Sequence, residues 1–129
     1  MKAIVAAVAI ILLAAGCGFR FSPGYSARDP HYFAEVPIVV KKTNGDYVLR
    51  WRYGSAGFWF RPEYKVMQGA LWFAMQGTTS TGDHRGQIDD MKIEGPAAIQ
   101  ALEAGGAYWW EPDRTTIRLE FDKDGEQGH

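Results

Sequence analysis

The tetrapeptide Thr43-Asn44-Gly45-Asp46 is the strongest local constraint on how this chain can fold. Asn-Gly between two apolar runs favours a β-hairpin with a two-residue type I′ turn, because both central residues then need positive φ. If Thr43 pairs with Asp46, three cross-strand pairs share one apolar face. They are Val40 with Leu49, Ile38 with Trp51, and Val36 with Tyr53. The opposite face then carries Val39, Lys41, Arg50 and Arg52.

Later segments show the patterns of further short strands. They are residues 58–60, 64–76 with a bulge or break at Gly69, 88–94, 107–110 and 116–121. Gly95-Pro96 starts a helix, because proline suits the first helical turn, and Gly105-Gly106 ends it. The pattern predicts a mainly β fold: a small antiparallel β-sandwich or barrel with one short helix near residues 96–104. An α+β arrangement, with the helix packed on one sheet, is the alternative.

The amino terminus has the form of an export signal. Lys2 is followed by an uninterrupted apolar run from Ala3 to Ala15. Spanning a bilayer takes roughly 20 apolar residues, so the run is too short to cross, but it has the length of a secretory signal core.

The run ends in Leu12-Leu13-Ala14-Ala15-Gly16-Cys17, which resembles the lipobox of bacterial lipoproteins, although Ala14 stands where leucine is usual. The resemblance implies cleavage after Gly16, thioether lipidation of Cys17, and acylation of the new amino terminus with a fatty acid such as palmitate. Cys17 is the only cysteine in the chain. A lone cysteine directly after a signal core favours a modified residue over a free thiol or an intermolecular disulfide. Gly18, where an aspartate resembles an inner-membrane retention signal, implies the outer membrane, facing the periplasm.

These features divide the chain into four parts. Residues 1–16 are a signal peptide, 17–34 a lipidated tether, 35–122 the β-sandwich domain, and 123–129 a frayed tail. The aromatic content of the tether predicts that part of it packs on the domain.

The charges of the mature chain nearly balance. Removal of residues 1–16 takes away one charged residue, Lys2, and leaves 13 basic and 15 acidic residues. This near balance argues against a nucleic-acid partner and against polybasic contact with anionic lipid.

The polar stretch 78–87 is predicted to be a loop. Potentially catalytic groups gather in and beside it, namely Ser80, Asp83, His84, Asp89 and Asp90. No G-x-S-x-G elbow accompanies them, and their spacing does not match an EF-hand loop. The three histidines also lack zinc-ligand spacing. We therefore predict a solvated loop without a catalytic, metal or cofactor site, and keep a small hydrolase using His84 with Asp83 or Asp89, or a metal bound by residues 78–90, as alternatives.

The tryptophans are the main candidate binding residues. The hairpin register assigns Trp51 to the core, which leaves Trp59, Trp72, Trp109 and Trp110 as a candidate binding face. Trp109 and Trp110 are adjacent on a strand, so one points inward and the other outward. Exposed aromatics on a sheet can stack on sugars or contact a protein, whereas the alternative is that they fill a small core. The basic residues on the outer hairpin face are interpreted as an ordinary solvated surface.

The sequence thus predicts a membrane-anchored envelope lipoprotein that acts as a non-enzymatic binding, assembly or inhibitory accessory protein. Its partners would be membrane lipid, through acylated Cys17, and an envelope protein. The alternative is a module that binds a glycan or a small apolar ligand through exposed tryptophans.

Overall fold

Two four-stranded sheets and one helix make up the part of the chain that the computed structural model describes, residues 24–79 and 82–123. The strands are β1 (Ile38–Lys41), β2 (Tyr47–Arg52), β3 (Glu63–Met67), β4 (Ala70–Ala74), β5 (Ile88–Lys92), β6 (Ala107–Trp110), β7 (Thr116–Arg118) and β8 (Phe121–Lys123). The helix, α1, is Pro96–Gly105. The predicted mainly β sandwich with one short helix is therefore confirmed, and the sheets form no closed barrel.

Each sheet is mixed rather than purely antiparallel, which corrects the predicted strand arrangement. The first sheet has the order β5-β2-β1-β8 and the second β3-β4-β6-β7. The pairs β1–β8 and β4–β6 are parallel. Parallel neighbours need a long connection. After β4 the chain forms β5 in the other sheet and returns through α1, so β6 arrives in the same direction as β4.

The first hairpin forms, but the predicted register was wrong by one residue. Val39 pairs with Leu49, not Val40 with Leu49. The loop has three residues: the Gly45 amide donates to the Lys42 carbonyl, and only Gly45 takes a positive φ, 94°. This is a type I turn followed by a left-handed glycine, which Asn-Gly allows as well as a type I′ turn. Val39 therefore faces the core, while Val40 and Val48 lie on the other side of the sheet, where both are buried.

A two-residue turn occurs at Gln68-Gly69, where a long strand with a bulge or break at Gly69 was predicted. Gln68 has φ 56° and Gly69 φ 74°, and Met67 pairs with Ala70 across the turn. Both central residues are left-handed, as in a type I′ turn. Residues 63–74 therefore form the hairpin of β3 and β4.

Two shorter predicted strands also need correction. Residues 58–60 form no strand, because only Trp59 makes an isolated bridge, with Thr79. Residues 116–121 are divided between β7 in the second sheet and β8 in the first, so the alternation is interrupted where the chain changes sheets. Ile117 and Leu119 are buried as predicted, but Phe121 is 46% exposed at the sheet edge.

The predicted tether packs onto the sandwich from residue 24 onward. We call residues 24–34 the N-terminal strap. Ala27 and Phe33 in this segment are buried in the core cluster. The Tyr25 amide donates to the Met75 carbonyl at 2.8 Å, and the Gly54 amide donates to the Tyr32 carbonyl at 2.9 Å. The packed domain therefore begins before the predicted boundary at residue 35.

The sandwich has two distinct ends. At the helix end, the Tyr47 hydroxyl donates to Glu103 of α1 at 2.9 Å. The carboxyl end of α1 also touches the β3–β4 turn: a side chain on Gly105 would come within 2.1 Å of the Gly69 carbonyl oxygen. At the strap end, the N-terminal strap covers the chain where it leaves β2, β4 and β6. Among the described residues, no helix is both long and apolar enough to cross a membrane.

Candidate functional site

A cluster of aromatic side chains lies on the second sheet, on the side turned away from the core. Trp72 of β4 and Tyr108 of β6 are direct cross-strand neighbours. Their rings stack with centroids 5.1 Å apart and planes 26° apart. Trp110 is two residues beyond Tyr108 on the same strand face, and its ring meets Trp72 edge to face at 6.2 Å. All three side chains are half-buried.

Basic residues stand on both sides of these rings. Arg118 of β7 pairs with Tyr108, and its guanidinium lies 5.7 Å from the centroid of the tyrosine ring. Lys65 of β3 pairs with Trp72 from the opposite side. The row Lys65–Trp72–Tyr108–Arg118 thus crosses all four strands of the sheet. We call this row, together with Trp110, the outer aromatic face.

Strand alternation explains which aromatics reach this face. Along β6, Ala107 and Trp109 are buried, whereas Tyr108 and Trp110 are half-buried on the other side. Trp109 is 0% exposed, and its indole N–H donates to the Tyr25 carbonyl at 3.1 Å. Trp109 was therefore wrongly assigned to the candidate binding face: it belongs to the core.

The other predicted tryptophans separate as well. Trp72 and Trp110 lie together on the outer aromatic face. Trp59 lies instead in the connection between β2 and β3, where its side chain packs partly against the core. Trp51 is buried, in agreement with its prediction. Tyr108 was missed, although it alternates with Trp110 on the strand and that spacing places both on one face.

The ring geometry limits what this face can bind. Because β6 lies between β4 and β7, Trp72 and Arg118 approach the Tyr108 ring from opposite sides. Both faces of Tyr108 are therefore occupied, and one face of Trp72 is occupied by Tyr108. The edge of the Tyr108 ring and the exposed Arg118 side chain remain to meet a ligand. The indole N–H of Trp72 is also engaged, donating to the Met67 carbonyl at 3.0 Å.

The described carboxylates near the loop 78–87 are engaged in ion pairs and hydrogen bonds within the fold. Asp83 forms an exposed ion pair with Arg85 at 2.7 Å, and this arginine lowers the pKa of Asp83 to about 2. Asp90 pairs with Arg50 of the neighbouring strand at 2.7 Å. Ser80 lies outside the described residues. Two of the candidate carboxylates are thus engaged by arginines.

Asp89 and His84 meet at a buried tyrosine instead. The Tyr53 hydroxyl donates to Asp89 at 2.8 Å, and the ring of His84 lies 5.3 Å from the Tyr53 ring. Burial, followed by the hydrogen bond to Asp89, raises the pKa of Tyr53 well above its ordinary value. Tyr53 is therefore a neutral donor that binds the inward-facing carboxylate of β5, which is a structural role.

Two arginines of the outer hairpin face make contacts within the fold. Arg52 donates to the Gly86 carbonyl at 2.7 Å, so two arginines of the outer hairpin face, Arg50 and Arg52, are engaged in the fold. Within residues 24–79 and 82–123, no group of three or more histidines or acidic residues is arranged to hold a metal. The lipid-attachment candidate Cys17 lies outside the described residues.

Comparison of the chain with models of known protein families, with curated proteins and with solved structures found no match.

Proposed function

We propose that this chain is a lipid-anchored envelope protein that binds another protein through its outer aromatic face and carries out no catalysis. The observation that carries the proposal is the row Lys65–Trp72–Tyr108–Arg118, with Trp110 beside it, outside the core of the sandwich. Tryptophan, tyrosine and arginine are the residue types that contribute most to protein interfaces. Their half-buried side chains leave aromatic surface outside the core, where a partner can cover it.

The ring packing favours a protein over a sugar. Sugars stack on open ring faces, and Tyr108 has none, since Trp72 and Arg118 cover both. A protein surface can instead pack on ring edges, and its carboxylates can pair with Arg118. The fixed stacking also orders the side chains before binding, which reduces the entropy lost on association.

The anchor follows from the amino-terminal sequence. The signal core, the lipobox-like residues before Cys17 and the absence of any second cysteine together favour a chain exported and acylated at that residue. Two or three acyl chains hold a protein stably at a membrane, whereas one does not. The proposed location is the outer membrane, with the domain in the periplasm.

A photo-crosslinking experiment tests the binding face. A benzophenone amino acid is introduced into the full chain in cells at Thr116, the cross-strand neighbour of Trp110, at Lys65, the end of the row, and at Gln100 on the exposed side of α1. We expect one adduct of the same size from the first two positions and none from the third. Arg118→Glu should lower the yield of this adduct roughly tenfold, which corresponds to about 1.4 kcal/mol of binding free energy. The reason is that the new glutamate places a negative charge against the partner's carboxylates.

Lys41→Glu is the matched control, because Lys41 is an exposed cation on a strand of the other sheet. It should leave the adduct unchanged. An adduct that is the same at all three positions, or that is insensitive to Arg118→Glu, contradicts the proposal. Saturable quenching of tryptophan fluorescence by soluble cell-wall glycan fragments would support the glycan alternative in its place.

The anchor has its own test. Cells grown with a labelled fatty acid should label the protein, and Cys17→Ser should abolish the label. Label that persists in Cys17→Ser contradicts acylation at that residue.

A further inference from the structure

The strap end of the sandwich carries a second, smaller group of aromatic side chains. Tyr25 and Tyr32 of the N-terminal strap have ring centroids 4.6 Å apart, and Phe58 lies 6.4 Å from Tyr32. Tyr25 is 36% exposed, and the other two are half-buried. We call these three residues the strap-end aromatics. They lie on a different part of the molecule from the outer aromatic face.

Covalent geometry keeps this end close to Cys17. Six residues, 18–23, separate Cys17 from Gly24, where the packed strap begins. At most about 3.6 Å per residue, the chain from Cys17 to Gly24 spans no more than roughly 25 Å. The beginning of the strap is itself fixed: the Tyr25 amide bonds to Met75, and the Ala27 amide donates to Glu111 at 2.8 Å. A lipid on Cys17 would therefore hold the strap end, and not the helix end, at the bilayer.

We propose that the strap-end aromatics are a membrane-contact surface that rests in the headgroup region of the bilayer to which Cys17 is anchored. This inference rests on the proposed lipid anchor. Tyrosine suits that region because its ring is apolar and its hydroxyl reaches water. The charged groups around these aromatics fit too. Arg28 is exposed, and Asp29 accepts a hydrogen bond from the His31 amide at 3.0 Å. Asp83 and Arg85, beside Gly57, form an ion pair.

The contact would set the orientation of the whole domain. The strands run between the strap end and the helix end. When the strap end contacts the membrane, the strands therefore point away from the membrane surface. The outer aromatic face then lies on the flank of the domain, where a second protein at the same membrane reaches it from the side. The short connection and the aromatic contact would together hold the domain in one orientation relative to the membrane, which a long flexible tether would not do.

The test uses the full-length lipidated protein in vesicles of phosphatidylethanolamine and phosphatidylglycerol. The acylated Cys17 has no free thiol, so an engineered cysteine can carry a polarity-sensitive fluorophore. Arg28→Cys and Ser55→Cys place it beside the strap-end aromatics, since Arg28 is exposed and the Ser55 amide bonds to Pro30. Asn44→Cys and Gln100→Cys place it at the helix end.

We expect the two strap-end labels to be quenched by lipids with a nitroxide near the headgroup, at least roughly twofold more than the helix-end labels. Replacing Tyr25 and Phe58 together by serine should reduce that difference while the protein remains on the vesicles. If the protein floats with the vesicles but the labels at both ends are quenched equally, the membrane contact is contradicted. The lipid anchor is then still supported. Protein that does not float overturns the anchor and this inference with it.

Discussion

A single buried side chain, that of Glu111, holds the N-terminal strap in place. It is 6% exposed, and its carboxylate accepts hydrogen bonds from the Ser26 hydroxyl and the Ala27 amide. Glu111→Ala should lower the free energy of unfolding by roughly 1–3 kcal/mol, because it leaves buried donors without an acceptor. Urea denaturation measures the loss.

Two further variants give that measurement its control. Glu111→Gln keeps one acceptor oxygen and should cost less than the alanine. Glu120→Ala removes an exposed carboxylate and should stay within roughly 0.5 kcal/mol of the parent. Equal losses for Glu111→Ala and Glu120→Ala would mean that the carboxylate does not hold the strap.

Tyr53 makes stability depend on alkaline pH. Burial and the hydrogen bond to Asp89 raise its pKa, so the folded protein holds this proton more tightly than the unfolded chain does. The stabilisation is complete below the unfolded pKa, about 10, and is lost as the pH rises above it. The Tm should therefore fall from about pH 9 to about pH 11, and more steeply in the parent than in Tyr53→Phe.

Asp89→Asn separates the two causes of the raised pKa. It removes the carboxylate but leaves Tyr53 buried, so the pKa of Tyr53 should move down toward its ordinary value without reaching it. Tyrosine absorbance during a pH titration follows the phenolate directly. A pH dependence of Tm that is the same in the parent and in Tyr53→Phe would assign the alkaline loss to other groups.

At the scale of elements, the two hairpin turns show what a local motif can determine. Asn44-Gly45 correctly predicts a hairpin, but the motif suits both a two-residue and a three-residue loop. The choice is made by the sandwich, which buries Val39 beside Leu49 and moves the register by one residue. At Gln68-Gly69 the sequence gives a weaker signal, because glutamine is unusual at positive φ, and the hairpin there was missed.

This contrast predicts different effects at the two turns. Gln68→Asn should stabilise the domain by roughly 0.5–1 kcal/mol, because asparagine adopts the left-handed conformation more readily than glutamine. Asn44→Gly should bring no such gain. Asn44 is not left-handed, and its side-chain oxygen accepts a hydrogen bond from the Asp46 amide at 2.9 Å. Thermal unfolding of the two variants compares them, and a gain at Asn44 without one at Gln68 would contradict the turn assignments.

The candidate site was predictable only in part, for a similar reason. Alternation shows that Trp109 and Trp110 point to opposite sides of β6, but both are tryptophans, so hydrophobicity cannot say which is inside. Which of the two is inside depends on which side of the second sheet packs against the first sheet. The stacking of Trp72 on Tyr108 depends on the parallel pairing of β4 with β6, two strands separated in sequence by β5 and α1. No local pattern specifies that contact.

At the scale of the whole molecule, the N-terminal strap is part of the domain and not only a connection to it. Phe33 packs edge to face against Phe60 at 5.0 Å and against Trp109 at 5.1 Å, so it joins the strap to the second sheet. It also bridges to Tyr53, just beyond β2 of the first sheet. A single residue of the strap thus contacts both layers of the sandwich, one through its ring and the other through its backbone. If the strap contributes to the core, its removal should weaken both sheets together.

Two phenylalanines test this with the same substitution. Phe33 is 1% exposed and Phe121 is 46% exposed. Phe33→Ala should cost roughly 3–5 kcal/mol, the usual loss for a fully buried phenylalanine, while Phe121→Ala should cost less than about 1 kcal/mol. Tryptophan fluorescence and circular dichroism should give coincident transitions for Phe33→Ala, because the strap and both sheets share one core cluster and unfold together. If Phe33→Ala costs no more than Phe121→Ala, the strap is a dispensable covering, and the domain begins near residue 35 after all.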